Sequence, residues 1–375
     1  MGVSKIFFTS MRTKMDESLL VKMDRLIKKA GIQDIDFKQK YVAIKIHFGE
    51  PGNLSFLRPN FAKVLAERIK VLGGMPFLTD CNTLYTGRRG NALSHLDAAD
   101  ENGYTQFSTG CRNIIADGIR GTDDVEVPVK NGVYCKTARI GKAIMDADIV
   151  ISLNHFKGHE ATGFGGALKN IGMGSGSRAG KMAMHDEGKP HVDKNTCIGC
   201  KICSRFCAHG AIDFDGGKAS IRHNKCAGCG RCIGACSRNA VQNNWDSSNE
   251  ALSCKVAEYA KAVLDGRVNF HINVVNQVSP FCDCHFENDA AVVPDIGIFA
   301  GFDPVALDKA CIDAVNAAPV IKSSLLGDLE KSGGASFIKN DHFTAIFPTT
   351  DWRIQISHAE KIGLGSGKYE LITVK

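Results

Sequence analysis

Eight of the fifteen cysteines in this 375-residue chain lie between Cys197 and Cys236. They form two runs of one spacing, Cys197–Cys207 and Cys226–Cys236, each reading C-x₂-C-x₂-C-x₃-C. Disulfide frameworks belong to short secreted chains. This chain is long, and its N-terminal apolar patch, Ile6 to Phe8, is too short for a signal-peptide core. Thiols packed this densely point to metal.

The spacing narrows the metal to two [4Fe-4S] clusters. Three thiolates set two residues apart wrap three corners of one cube, and the fourth begins a turn aimed at the other cube. Cys197, Cys200, Cys203 and Cys236 then hold one cluster, and Cys226, Cys229, Cys232 and Cys207 hold the other. Ala211 to Ile221, turning at Asp215-Gly216-Gly217, reads as a small hairpin between the halves. The proline usual after each fourth cysteine is Ala208 in one run and Ser237 in the other, which loosens that turn. Zinc ribbons use two pairs of cysteines and not two runs of four.

Around this block the chain alternates strand and helix patterns. Strands are expected at Tyr41–Ile46, Pro76–Thr79, Asp148–Leu153, Phe270–Val278, Asp295–Phe299 and Tyr369–Val374. Helices are expected at Asn60–Leu72, stopped by Gly73-Gly74, at Leu252–Leu264, and from Asp303-Pro304 to Ala317. Asp303 reads as the cap of that last helix, with Pro304 in its first turn. The expected fold is α/β: a mostly parallel sheet with helices on both faces, interrupted by a small ferredoxin-like α+β insert. The boundaries are 1–190 for the first part of the α/β domain, 191–244 for the two-cluster insert and 245–375 for the second part.

In open α/β sheets, ligands bind beyond the carboxyl ends of the strands. Strand Tyr41–Ile46 carries Lys45 and runs into His47, Gly49 and Glu50. Strand Asp148–Leu153 runs into Asn154, His155, Lys157, His159 and Glu160, and strand Pro76–Thr79 into Asp80 and Asn82. These ends predict one shared pocket, with Lys45, His47, His155, Lys157, His159 and Lys169 as the candidate catalytic set. Glycines from Gly158 to Gly180 would let backbone N–H groups approach an anion, and a helix starting near Gly166 would aim its dipole there. Asp308 is placed to face the same cleft, and His185 and Lys189 either link it to the insert or form a surface linker. Cys282 and Cys284 share a face if extended, which allows a third metal or redox site completed by Cys254 or His285. Cys81, Cys111, Cys135 and Cys311 read as packing residues.

Several of these segments together resemble the family catalogued as "domain of unknown function 362", in the version with a ferredoxin insert. They are Lys45–Glu50, Asn154–His159, Gly165–Gly174, Cys282–Cys284 and Asp303–Asp308. The resemblance covers nearly the whole chain and implies a fold and an iron–sulfur role more than a reaction. His159–Lys169 also looks like a short segment of nickel-pincer lactate racemase in which the lysine carries a covalent cofactor. Here the register is shifted, and neither cofactor nor reaction is transferred.

The formal charge of +6 falls to about +2 once two clusters of about −2 each are counted. No basic block with interleaved aromatics is present, so nucleic acid is not an expected partner. No apolar run reaches the roughly 18 residues a bilayer span requires, and the expected location is the cytoplasm of a cell with little oxygen. The expectation is an iron–sulfur oxidoreductase whose clusters exchange electrons with an anionic small-molecule substrate, or a cofactor, in the α/β cleft. The alternative is a dedicated ferredoxin-like electron carrier or adaptor for a partner enzyme. No P-loop, nucleophile elbow or complete dinucleotide fingerprint is found.

Overall fold

Every residue from Ile149 to His155 is buried. Burial on both faces is the condition of a central strand in a parallel sheet and explains the near-continuous apolar run. In the computed structural model, residues 2–85, 87–185, 189–243, 247–333 and 340–375 are described. Among these described residues the main sheet has eight strands: β1 (Ser4–Ser10), β2 (Tyr41–Lys45), β3 (Met75–Asp80), β4 (Arg112–Ile115), β5 (Ile149–His155), β6 (Val268–Val275), β7 (Gly297–Gly301) and β8 (Tyr369–Thr373). Their spatial order is β8-β1-β7-β6-β5-β2-β3-β4. Only β7 runs antiparallel to its neighbours, pairing Ala300 with Phe7 of β1 and with Ile272 of β6. The fold is therefore α/β with a mostly parallel sheet, as the alternation predicts. The Ile6–Phe8 patch, unassigned from sequence, is the middle of β1.

The helices that frame the sheet are α1 (Leu19–Lys29), α2 (Pro59–Val71), α3 (Ala167–Ser175), α4 (Arg178–His185), α5 (Asn249–Leu264), α6 (Pro304–Ala317) and α7 (Trp352–Lys361). In α2 the buried residues Phe61, Ala62, Leu65, Ala66 and Ile69 recur at helical spacing. They form one stripe against the sheet. Each large apolar side chain buried this way contributes about 1.5–3 kcal/mol. The strands divide two cores by alternation. Ile149, Ile151 and Leu153 of β5 face α1 and α2, whereas Val150 faces the core built by α3, α5, α6 and α7. Helix α5 packs against α3 and α7, and apart from Lys255 it is buried from Leu252 to Leu264. Asp303 caps α6, its Oδ1 accepting from Val305 and Ala306 N–H.

Two features of this topology place the site. β2, β3 and β4 step in chain order toward one edge, and β5 then returns to the other side of β2. The carboxyl ends of β2 and β5 therefore flank a topological switch point, where such sheets open a crevice. The chain next leaves β5 and re-enters the adjacent, parallel β6. The cysteine-rich segment lies within that crossover. Its described part holds the pairs His191–Val192 with Val241–Gln242 and Ile212–Asp215 with Lys218–Ile221, and short helices Ile202–Arg205 and Arg231–Ala235. Cys197, Cys203, Cys232, Ile212 and Val241 join in its own small core. Asn244, the expected end of the insert, lies outside the described residues. Among the described residues no helix is long and apolar enough to cross a membrane.

Candidate functional site

A cavity of about 610 Å³ opens at the switch point, within the range of small-molecule sites. His47 and Glu50 enter from the loop after β2, Asp80, Tyr85 and Arg89 from the end of β3 and beyond, and Lys157 and His159 from the chain after β5. Lys169 and Asn170 come from α3, Lys181 and His185 from α4, and Cys282, Cys284 and His285 from the loop after β6. Of the six candidate catalytic residues, His47, Lys157, His159 and Lys169 line this cavity. Lys45 and His155 do not. They sit beneath it, each tied to a buried carboxylate. Lys189 is not among the lining residues either.

Lys45 lies 2.9 Å from Asp80 and donates to Asn170 Oδ1 at 2.6 Å. Burial pulls its ammonium down, and Asp80 pushes back. His155 Nδ1 lies 2.9 Å from both Asp283 oxygens, and its Nε2 lies 2.8 Å from Asn276 O. Lys157 shares that carboxylate at 3.1 Å and donates to His155 O at 3.0 Å. Burial pushes the Asp283 carboxyl up, but His155 and Lys157 outweigh it and hold the group well below the usual range. Asp283 thus anchors the floor of the cleft.

A buried polar chain continues between β5 and β6. Ser152 Oγ meets His271 Nδ1 at 2.8 Å, Asn154 Nδ2 donates to Asn273 Oδ1 at 2.9 Å, and Asn273 donates to Asp308 Oδ1 at 2.8 Å. Asp308 also accepts from Ala167 and Leu168 N–H at 2.7 and 2.8 Å. This corrects the anion site expected at the start of α3. A carboxylate of the protein already occupies that helix N-terminus. A Cβ at Gly166 would stand 2.3 Å from Asp308 Oδ1, and one at Gly172 2.1 Å from Val256 O of α5. These two glycines serve close approach of protein to protein. Burial lifts the Asp308 carboxyl to about 6 against its three N–H donors.

Arg89 was missed by sequence reasoning. Its Nε donates to Glu50 Oε2 at 2.8 Å, its Nη1 lies 2.9 Å from His47 Nε2, and its Nη2 donates to Tyr85 Oη. Glu50 is 39 positions away in the chain, so no local spacing announces the pair. Burial, then Arg89, lowers His47 well below the ordinary histidine value, so the ring is neutral. Burial also lowers His159, to about 4. Its Nδ1 accepts from Ala161 and Thr162 N–H, both at 3.1 Å. The ring proton therefore sits on Nε2.

Cys282 and Cys284 are brought together differently from the expected extended chain. His285 N–H donates to Cys282 O at 3.0 Å, closing a turn over Cys282–His285. Lys169 Nζ donates to Cys282 Sγ at 3.1 Å. A hydrogen bond from Cys284, and then the Lys169 charge, lower the Cys282 thiol well below its ordinary value despite burial, whereas the partner thiolate pushes Cys284 up. Donor atoms of His159, Cys282 and Cys284 lie within 4.8 Å of one another, as do those of Glu160, Cys284 and His285. These are groups able to hold a metal. Cys254 is apart, facing Tyr134. Cys81 also lines the cleft, and Cys111 and Cys311 are buried.

The eight cysteines of the crossover form no three-donor group that close among the described residues. Cys197, Cys200, Cys203 and Cys236 instead line one small cavity. Backbone N–H groups point at the sulfurs in matched positions. Ala211 donates to Cys207 and Ala240 to Cys236, both at 3.3 Å and both four residues on. Arg178 of α4 packs over Gly230 and Gly234 of the second cysteine run. It also donates to Arg120 O at 3.0 Å and Thr83 O at 3.3 Å. Leu84, Tyr85 and Gly87 line both the cleft and a second cavity of about 560 Å³ walled by Ile233–Ser237, Asn239 and Val241–Asn243.

Fold and site together define an α/β protein with a cysteine-rich segment set beside a polar cleft. The family described as "Domain of unknown function (DUF362)" matches residues 42–313, and the chain belongs to it. No curated protein matches this chain. Among solved structures, the lactate racemase apoprotein from Thermoanaerobacterium thermosaccharolyticum is similar at 13% identity, over 99% of this chain and 83% of that one, with a TM-score of 0.42. A protein from Thermotoga maritima is similar at 11% identity, over 78% of this chain and 57% of that one, with a TM-score of 0.36.

Proposed function

We propose that this chain is an iron–sulfur oxidoreductase, with two [4Fe-4S] clusters beside a cleft that binds an anionic small-molecule substrate or a cofactor. The observation that carries the reading is the cavity shared by Cys197, Cys200, Cys203 and Cys236, which is the crossed ligand set of a two-cluster ferredoxin module. Wider spacing of the thiols favours a cluster over one zinc ion, whose four sulfurs would stand about 3.8 Å apart. Cys226, Cys229, Cys232 and Cys207 would hold the second cluster. When bound, the clusters supply one-electron transfer at low potential. The chain's own residues supply the rest. Lys157 and Lys169 place positive charge in the cleft. His47 is held neutral, and His159 presents an N–H. Leu84, Tyr85 and Gly87, which line both cavities, and Arg178 of helix α4 lie between the cleft and the cysteine segment and support this reading.

A dedicated electron carrier, docking with a partner enzyme, is the second reading. It is favoured by the exposure of Cys200 and of Ile198, 61% exposed, beside the first ligand set. Anaerobic purification with iron and sulfide analysis, followed by electron paramagnetic resonance after dithionite reduction, tests the proposal. About eight irons per chain and an interacting pair of reduced-cluster signals are expected. Zinc in place of iron would overturn it. Reduction that no cleft substitution perturbs, at Lys157, His159 or Lys169, would leave the carrier.

A further inference from the structure

Cys282 and Cys284 stand apart from the eight clustered cysteines. They sit on one turn, line the cleft, and have donor atoms within 4.8 Å of each other. Lys169 Nζ is 3.1 Å from Cys282 Sγ, and Lys157 and His159 line the same wall. A thiolate next to a lysine, with a second thiol in reach, is the arrangement of thiol–disulfide chemistry.

The alternative use of these thiols is a metal site. His159 argues against it. Its Nδ1 is occupied as an acceptor by two backbone N–H groups, so Nε2 carries the proton and offers no lone pair. The Lys169 ammonium already stands where a cation would neutralise Cys282. Glu160 and His285 are engaged with each other at 3.3 Å.

We propose that Cys282 and Cys284 are a redox-active dithiol that reduces a small disulfide bound in the cleft. The inference deepens the oxidoreductase reading by naming disulfides as the substrate class, and rests on it only for the return of electrons. Cys282 thiolate attacks one sulfur of RS–SR. The S–S bond breaks, RS⁻ leaves, and a Cys282–SR bond forms. Cys284 then loses its proton and attacks the Cys282 sulfur, expelling the second RS⁻. The sum is RSSR + Cys282–S⁻ + Cys284–SH → Cys282–S–S–Cys284 + RS⁻ + RSH. Two electrons pass from the dithiol to the substrate. Two electrons and one proton regenerate the pair, and two one-electron donors in the neighbouring segment match that need. Lys169 steadies the attacking thiolate. Leu84, Met173, Leu252 and Val256 offer an apolar wall to the R groups.

The test uses the full chain, kept anaerobic and equilibrated in mixtures of oxidised and reduced dithiothreitol, then quenched with iodoacetamide. Trypsin releases Val268–Lys309, in which Cys282 and Cys284 are the only cysteines. The expected result is a peptide carrying two alkyl groups in reducing mixtures, and an unalkylated peptide two hydrogens lighter in oxidising ones. With hydroxyethyl disulfide, Cys284→Ser should trap a mixed disulfide on Cys282, and Cys282→Ser should trap none on Cys284. Alkylation of both thiols throughout the range would overturn the proposal. So would a bound metal ion that blocks alkylation under reducing conditions until a chelator is added. Iron and sulfide measured on the same sample separate the two claims, because dithiol cycling without clusters would sink only the earlier reading.

Discussion

Asp80 shows how much one residue lining the cleft can decide. Burial pushes its carboxyl up, yet Lys45, His95 and Arg89 outweigh that and keep it below the ordinary 3.8. The folded value is thus lower than the unfolded one. The resulting stabilisation is complete at neutral pH. It is lost as pH falls below about 4, because the unfolded chain takes up its proton first. Asp80→Asn leaves Lys45 buried without its charge partner, and should cost about 3–5 kcal/mol at pH 7 in urea unfolding. The gap between the two stability curves should close as pH drops below about 4. A constant gap would contradict the sign. Asp308→Ala strips the acceptor from three N–H groups and should lower stability by about 1–3 kcal/mol for each group left unpaired. At this scale the sequence was only partly legible. Lys157 and His159 could be read from a strand end and Lys169 from the glycine-rich stretch after it, but Arg89 and Asp283 could not. Their partners are distant in the chain, and no spacing rule reaches that far.

Among the elements, β2 and β5 were legible because burial on both faces forces a nearly continuous apolar composition, and α5 because its apolar residues recur at helical spacing. β1 and β4 were not. Lys5 in one, and Arg112 and Ile114 in the other, are exposed and break the apolar run. The hairpin pairing Lys157–His159 with Gly163–Gly165 was hidden for another reason, since three-residue strands carry no readable period. The glycine-rich stretch was visible, but its use was misread as an anion cradle. Gly172 brings α3 against α5, and Gly172→Ala should force a shift at Val256 O. A loss of about 1–3 kcal/mol is expected, measured as a lowered denaturation midpoint at unchanged slope. An unchanged midpoint would mean that the two helices are not packed this closely.

For the whole molecule, the switch between β2 and β5 and the crossover from β5 to β6 bring the polar cleft and the cysteine-rich segment side by side. Fold class was readable from the strand–helix alternation, and the cysteine segment from its spacing. Their adjacency was not, because the contacts between them join residues far apart in the chain: the Arg178 guanidinium donates to Thr83 O after β3 and Arg120 O after β4 while its stem covers Gly230 of the second cysteine run. Arg178→Ala should make the segment 191–243 more sensitive to limited proteolysis while the far-ultraviolet circular dichroism of the sheet is kept. Equal resistance to that of the unsubstituted chain would assign Arg178 no such role.

Crossed ligation of two clusters, as proposed, is addressed most directly by native mass spectrometry under anaerobic conditions. The unsubstituted chain should carry the added mass of two [4Fe-4S] cores. Cys197→Ser and Cys236→Ser should each lose one core, and together still only one, because both ligate the same cluster. Cys232→Ser combined with Cys236→Ser should lose both. A chain carrying zinc ions, or one in which Cys232 and Cys236 prove to serve the same core, would contradict it.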